Sequence, residues 1–235
     1  MALEEDMKKA LFIITATLFF ATAFAQSIYK ITITNTGQVE TIAIEPENNV
    51  IINVSTTGTI KNWGYDVYKE RGTDNNLERL EAYHGNTSNY DVNDNEALRG
   101  KPKYIGRTLV SYYASYESEE FAGKLKSIGN IYFDYYNLYE NEEYQGKIKT
   151  LGTNTVTWFS SFESEAYRGK LKAMGSTRFD YYPLSADKAF RGKLKKINNT
   201  LFEYYSSFEI NGSPGGLKYG SHTYYFNGIK YFIKY

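Results

Sequence analysis

The chain of 235 residues contains no cysteine, so a disulfide framework, a thiolate nucleophile and a cysteine-held zinc or iron–sulfur site are all excluded. It has only two histidines, His84 and His222, and neither stands in a zinc-type pair or beside a nucleophile motif. A surplus of one charge is also missing. With 27 Lys+Arg against 27 Asp+Glu, there is neither the basic footprint of a nucleic-acid binder nor an acidic tail, and no nucleic-acid partner is expected. Long apolar runs are absent beyond the N-terminus.

That one run reads as an address. Lys8 and Lys9 precede the apolar stretch from Ala10 to Phe20, and Ala23-Phe24-Ala25 stands before Gln26. These are the three parts of a secretory signal peptide, which predicts removal of residues 1–25 and an exported chain in the periplasm, at the cell surface or outside the cell. The run is shorter than the roughly 20 residues of a membrane span; an uncleaved anchor is the alternative. Met7 offers a second start, since Glu4, Glu5 and Asp6 are unusual in an n-region. Without a cysteine after the run, a bacterial lipoprotein is excluded, and no membrane association is expected after cleavage.

Aromatics are abundant, at 17% with 24 tyrosines, more than a core needs and typical of sheet surfaces and binding faces. They fall in a repeat. Gly100, Gly123, Gly146, Gly169 and Gly192 follow one another at 23-residue intervals, and a weaker copy begins at Gly215. A period of this length marks an array whose units bury their apolar faces only against neighbours.

Each copy reads alike. An aromatic or leucine stands two residues before the glycine (Leu98, Phe121, Tyr144, Tyr167, Phe190), and a lysine, an apolar residue and a second lysine usually follow it. After a turn comes an arm with two adjacent aromatics, as in Phe133-Asp134-Tyr135-Tyr136. A third aromatic often comes next, at Tyr116, Tyr139, Phe162 and Phe208, with a glutamate after it.

The first arm supports two readings. Tyr167, Leu171 and Met174 have helical spacing, which gives a strand-helix α/β solenoid. Against it, every copy would hold a mid-helix glycine at a cost of about 1 kcal/mol, and Pro102 would cost about 3 kcal/mol. A glycine in a strand instead marks a bulge, which shifts side-chain alternation and accommodates the uneven apolar spacing. The favoured fold class is therefore all-β, an antiparallel β-hairpin repeat array.

Residues 26–73 read as an N-terminal β cap, with hairpin turns at Asn35-Thr36-Gly37 and Thr57-Gly58. Residues 74–96 form a polar linker or degenerate repeat, 97–211 hold five repeats, and 212–235 make a C-terminal partial repeat or cap. Asp91, Asn93 and Asn95 hint at a calcium loop, but Glu96 and Pro102 stand where an EF-hand needs glycine and glutamate. No metal, cofactor or catalytic residue is assigned.

The run Gly-Lys-Leu-Lys-x-Ile/Met-Gly-x-x-x-Phe-Asp-Tyr-Tyr, at Gly123 to Tyr136 and Gly169 to Tyr182, resembles the β-hairpin units of YD/RHS-type repeats and those of secreted repeat proteins of Bacteroidota. It lacks the Tyr-Asp pair of the YD family. Its period is also similar to that of MORN repeats, without their second pair of glycines. The resemblance implies a hairpin array at the cell surface or in the envelope and carries over no catalytic residue.

Acidic pairs such as Glu117 with Glu119 and Glu163 with Glu165 could form a glycosidase dyad, but they recur at each connection, as solvated loops do. The candidate binding residues are the rings Tyr113, Tyr136, Phe159, Tyr182 and Tyr205 with Lys126, Lys149, Lys172 and Lys195. If they share a face, cation and ring alternate along it and suit a polysaccharide; an envelope protein is the other partner considered. The functional expectation is an exported, non-enzymatic structural or binding element of the envelope. Alternatives are an exported glycan-active enzyme and, from the alternating C-terminus Ile229 to Tyr235, a small outer-membrane β-barrel.

Overall fold

The computed structural model describes residues 27–47, 49–66 and 79–235. The signal-peptide reading lies outside these residues. Among them there is no helix, and the chain is all-β. The helical reading of the Gly-Lys-Leu-Lys arm is therefore overturned.

The N-terminal strands are β1 (Ser27–Thr34), β2 (Val39–Glu47), β3 (Val50–Val54), β4 (Ile60–Tyr65) and β5 (Glu81–Ala82). The array begins with β6 (Thr87–Asn89) and continues through hairpins β7 (Pro102–Ile105) with β8 (Thr108–Tyr112), β9 (Leu125–Ile128) with β10 (Ile131–Tyr135), and β11 (Ile148–Leu151) with β12 (Asn154–Trp158). It goes on with β13 (Leu171–Met174) and β14 (Thr177–Tyr181), then β15 (Leu194–Ile197) and β16 (Thr200–Leu201). The chain ends with β17 (Glu203–Tyr204), β18 (Leu217–Tyr219), β19 (Thr223–Phe226) and β20 (Ile229–Lys234).

Strands β6 to β16 form one antiparallel meander of 11 strands in chain order. Its ends, β6 and β16, do not pair, so the sheet is open and the barrel alternative falls.

A β-bulge recurs where consecutive hairpins meet, but not at the glycine. In β9 against β8, Tyr112 pairs with Leu125 and Ser111 with Ser127, so Lys126 is the extra residue. Lys103, Lys149, Lys172, Lys195 and Lys218 are passed over in the same way. The bulge turns Leu125, Ile148, Leu171 and Leu194 into the core and the lysine after each out of it. The apolar spacing that mimicked a helix is this shift in alternation.

The core lies between two layers. Val110, Leu125, Phe133, Ile148, Phe179 and Leu194 from the meander share one cluster with Ile31, Ile33, Ile44, Ile52 and Val54 from the N-terminal sheet. That sheet is not seated on one end of the array, where the sequence pattern suggested a cap. Its hairpin turns reach into the face of the meander: Leu125 and Ile148 donate their N–H groups to Gly58 O (3.1 Å) and Thr56 O (2.8 Å), and Leu194 donates to Asn35 O (2.8 Å). The C-terminus completes this layer, because β20 pairs parallel with β1 and antiparallel with β19.

Gly37 and Gly58 sit at these contacts with φ of 86° and 78°. A Cβ on Gly58 would collide with the Tyr135 phenol, and one on Gly37 with the Tyr181 ring. Gly100 has φ 76° but open space around it. Gly100→Ala should therefore cost about 1 kcal/mol of backbone strain, and Gly58→Ala about 3 kcal/mol, because overpacking is added. Urea unfolding midpoints compare the two; equal losses would contradict the insertion of this turn between the layers.

Candidate binding surface

Two ladders of lysines and rings run along the meander. In the inner one, Lys101, Lys124, Lys147, Lys170 and Lys193 donate to the carbonyl of the glycine one period ahead, with lengths of 2.8 Å to Gly146, 2.7 Å to Gly169 and 2.6 Å to Gly192. Each ammonium also stands 4.9–5.3 Å from the ring centroid of Tyr112, Tyr135, Trp158, Tyr181 or Tyr204, within cation–π range. These rings are held in turn: Tyr135 donates to Leu125 O (2.7 Å), Trp158 Nε1 to Ile148 O (2.9 Å) and Tyr181 to Leu171 O (2.8 Å). A Cβ on Gly146 would lie 2.8 Å from Lys124 Nζ and push the ammonium aside, and the φ of 69° itself favours glycine there.

The outer ladder holds the residues singled out from the sequence. Lys126, Lys149, Lys172 and Lys195 lie 5.1–5.7 Å from the ring centroids of Tyr113, Tyr136, Phe159 and Tyr182, and Lys218 lies 5.8 Å from that of Tyr205. Cation and ring do alternate along the array. They do so as pairs within the protein, with the rings half-buried. Tyr113, Tyr136 and Tyr182 also donate their hydroxyls to Phe133 O (2.9 Å), Val156 O (2.9 Å) and Phe202 O (2.8 Å) in the next hairpin. Phe159 has no hydroxyl to give.

A third row stands clear of the protein. Tyr116, Tyr139, Phe162 and Phe208 are 83%, 97%, 93% and 89% exposed. Each is the third residue of a turn closed by a main-chain bond from the following glutamate, as from Glu117 N–H to Ala114 O (3.0 Å) and Glu163 N–H to Ser160 O (3.2 Å). One period advances the sheet by two strands, so rings one period apart are spaced about 10 Å, and Phe162 and Phe208, two periods apart, about 20 Å.

The glutamates fix these turns. Glu163 takes the Ser160 N–H on Oε2 (2.6 Å) and the Lys172 ammonium on Oε1 (2.7 Å). Glu117 holds Ala114 N–H and Lys126 in the same way, and Glu209 holds Ser206 N–H and Lys218. The ammonium and the N–H beside them hold the Glu117 and Glu209 carboxyls below the usual carboxylate range. The bulged lysine thus serves its ring and the turn that carries the exposed ring. The proposed dyad residues Glu117 and Glu163 are both engaged here.

The sequence displays this third row without marking it as exposed. Its signal is position: each ring stands in a connection, next to the acid whose lysine partner lies nine residues on, and serine precedes Tyr116, Phe162 and Phe208 while Leu138 precedes Tyr139. The earlier Asn-rich stretch joins the same scheme. Tyr90 donates to Val110 O (2.9 Å), Lys103 covers its ring at 5.0 Å, and Asp94 meets Lys103 at 3.5 Å. Asp91 caps Asn93 N–H (2.7 Å), and Asn95 Oδ1 receives Ala97 N–H (3.1 Å) and Ser115 N–H (3.2 Å). The calcium hint is thus a run of side-chain-capped turns. His222 lies 3.1 Å from Ile233 O and stacks on Phe232.

Burial pushes the Lys101, Lys124, Lys147 and Lys193 ammoniums below their ordinary range, and Lys170 down to about 8. Burial also holds the phenols of Tyr135, Tyr181 and Tyr204 far above their ordinary value. Between pH 8 and about 10 the unfolded chain keeps lysine protons that the folded chain gives up, so stability should rise with pH. Above about 10 the unfolded tyrosines ionise while the buried ones stay protonated, and stability should fall. Thermal melts across this range should show a maximum near pH 10; a steady decline from pH 8 would refute the buried-ammonium ladder.

Comparison with family models, with curated proteins and with solved structures finds no match to this chain.

Proposed function

We propose that this chain is an exported, non-enzymatic binding element of the cell envelope or surface, and that it docks an extended polysaccharide along the row Tyr116, Tyr139, Phe162 and Phe208. One observation carries the reading: large apolar rings stand almost fully in water at a regular spacing, each on a turn clamped by its own ion pair. A lone exposed ring needs no explanation, whereas rigid repetition of one suits a multivalent ligand. One period, about 10 Å, is close to the length of a disaccharide in an extended β-linked glycan, so rings one period apart would meet alternate sugars. Export rests on the charged, apolar and small-residue parts of the N-terminus. The non-enzymatic part of the reading draws on the recurring glutamates, which act as turn clamps.

Co-sedimentation with insoluble polysaccharides tests this. Tyr139→Ala with Phe162→Ala should weaken pelleting on the order of tenfold, while stability stays within about 0.5 kcal/mol because both rings are exposed. Tyr132→Ala, which removes an exposed ring outside the row, should leave pelleting unchanged. Equal binding by all three proteins would reject the row as the docking track.

A further inference from the structure

The row is interrupted once, and the interruption has a chemistry of its own. Ser185 stands where the exposed ring would be, and Ala186 stands where the clamping acid would be. In the other connections the acid meets its lysine: Asp94 with Lys103 at 3.5 Å, Glu140 with Lys149 at 3.2 Å, Glu163 with Lys172 at 2.7 Å, and Glu117 with Lys126 and Glu209 with Lys218 closer still. Lys195 has the ring of Tyr182 at 5.6 Å, but among the described residues no carboxylate pairs with it.

The backbone has changed to match. The second oxygen of a clamping glutamate normally takes the N–H at the start of its turn, on Ala114, Ser160 or Ser206. The same position here is Pro183, which has no N–H to give. Losing the acid therefore orphans no backbone donor and leaves only a cation without its anion.

Space is present at this point. A cavity of about 300 Å³ is lined by Phe159, Tyr167, Asp180, Pro183, Lys195 and Lys196. Phe159 is the outer-ladder ring that lacks a hydroxyl, and it packs on Tyr167 with centroids 4.7 Å apart.

We infer that this notch is a subsite for a carboxylated sugar unit, so that the ligand of the track is an acidic polysaccharide. The inference rests on the proposed role of the exposed rings and adds charge selectivity to it. The sugar carboxylate takes the place at Lys195 that glutamate fills elsewhere, with Lys196 adding positive charge. Phe159, Tyr167 and Pro183 supply an apolar wall for the sugar ring. Asp180 is an acceptor for sugar hydroxyls, and its own charge disfavours a carboxylate bound away from the lysines.

The test titrates the full chain with oligogalacturonates and with neutral oligosaccharides of equal length. The parent should prefer the acidic series by on the order of tenfold, as expected for one charge-assisted contact. Ala186→Glu, which restores the array's own ion pair, should abolish that preference and leave neutral binding intact, and Lys195→Gln should also abolish the preference. An unchanged preference in both variants would overturn the subsite while leaving the ring track standing. Failure of the parent to bind either series would reject the track instead. The subsite is then judged by titrating galacturonate monomer against the Lys195 side-chain NMR signals: a shift absent from Ala186→Glu supports it, and no shift overturns it.

Discussion

The seating of each inner lysine between an aromatic face and a main-chain carbonyl is the constraint on which this molecule depends. Each inner lysine sits over a ring of its own hairpin and donates to the glycine of the next period. A Cβ on that glycine would crowd the ammonium. Taking a cation out of water is costly unless its protons find acceptors, and here a carbonyl and a π-face receive it. The same rung joins neighbouring hairpins whose strand pairs are short, so register is transmitted along the sheet by side chains as well as by backbone bonds.

The bulge that follows places the second lysine. Because Lys126 and its counterparts are the unpaired residue of the ladder, their chains leave the sheet plane and cover the outer rings. From there the ammonium reaches the glutamate of its own connection. A single irregularity thus sets the core position of Leu125, the ion pair to Glu117 and the turn that holds Tyr116 out to solvent. Water screens each exposed ion pair, so any one alone adds little stability. Their value lies in geometry, since every copy fixes the same turn.

Much of this was legible in the residues. Glycine in each first arm and Pro102 argued against helix, and the alternation in Phe133-Asp134-Tyr135 argued for strand; both follow from local backbone chemistry. The hairpin turns at Gly37 and Gly58 were visible for the same reason. The bulge was anticipated at the glycine and lies instead at the lysine three residues on, because the glycine ends the connection with φ near 70–77° in most copies. The parallel pairing of β20 with β1 left no local trace, since it joins Lys30 to Lys230 across 200 residues. Nor could the pattern distinguish Tyr136 from Tyr139. Both are aromatics between an apolar or aromatic residue and a polar one, and only the fold sends one under Lys149 and the other into water.

The repetition that builds the scaffold also builds the surface. From Tyr116 to Phe208 the row covers four periods of 23 residues, or about 40 Å of sheet at two strand spacings per period. A ligand able to touch several rings gains affinity through linkage, not through any one strong contact. Binding should then depend on ligand length. The most direct measurement is calorimetric titration with oligosaccharides of increasing length. The account predicts affinity that climbs with each added disaccharide until the chain spans the row; affinity that is already maximal for one sugar unit, or that ignores length, would contradict it.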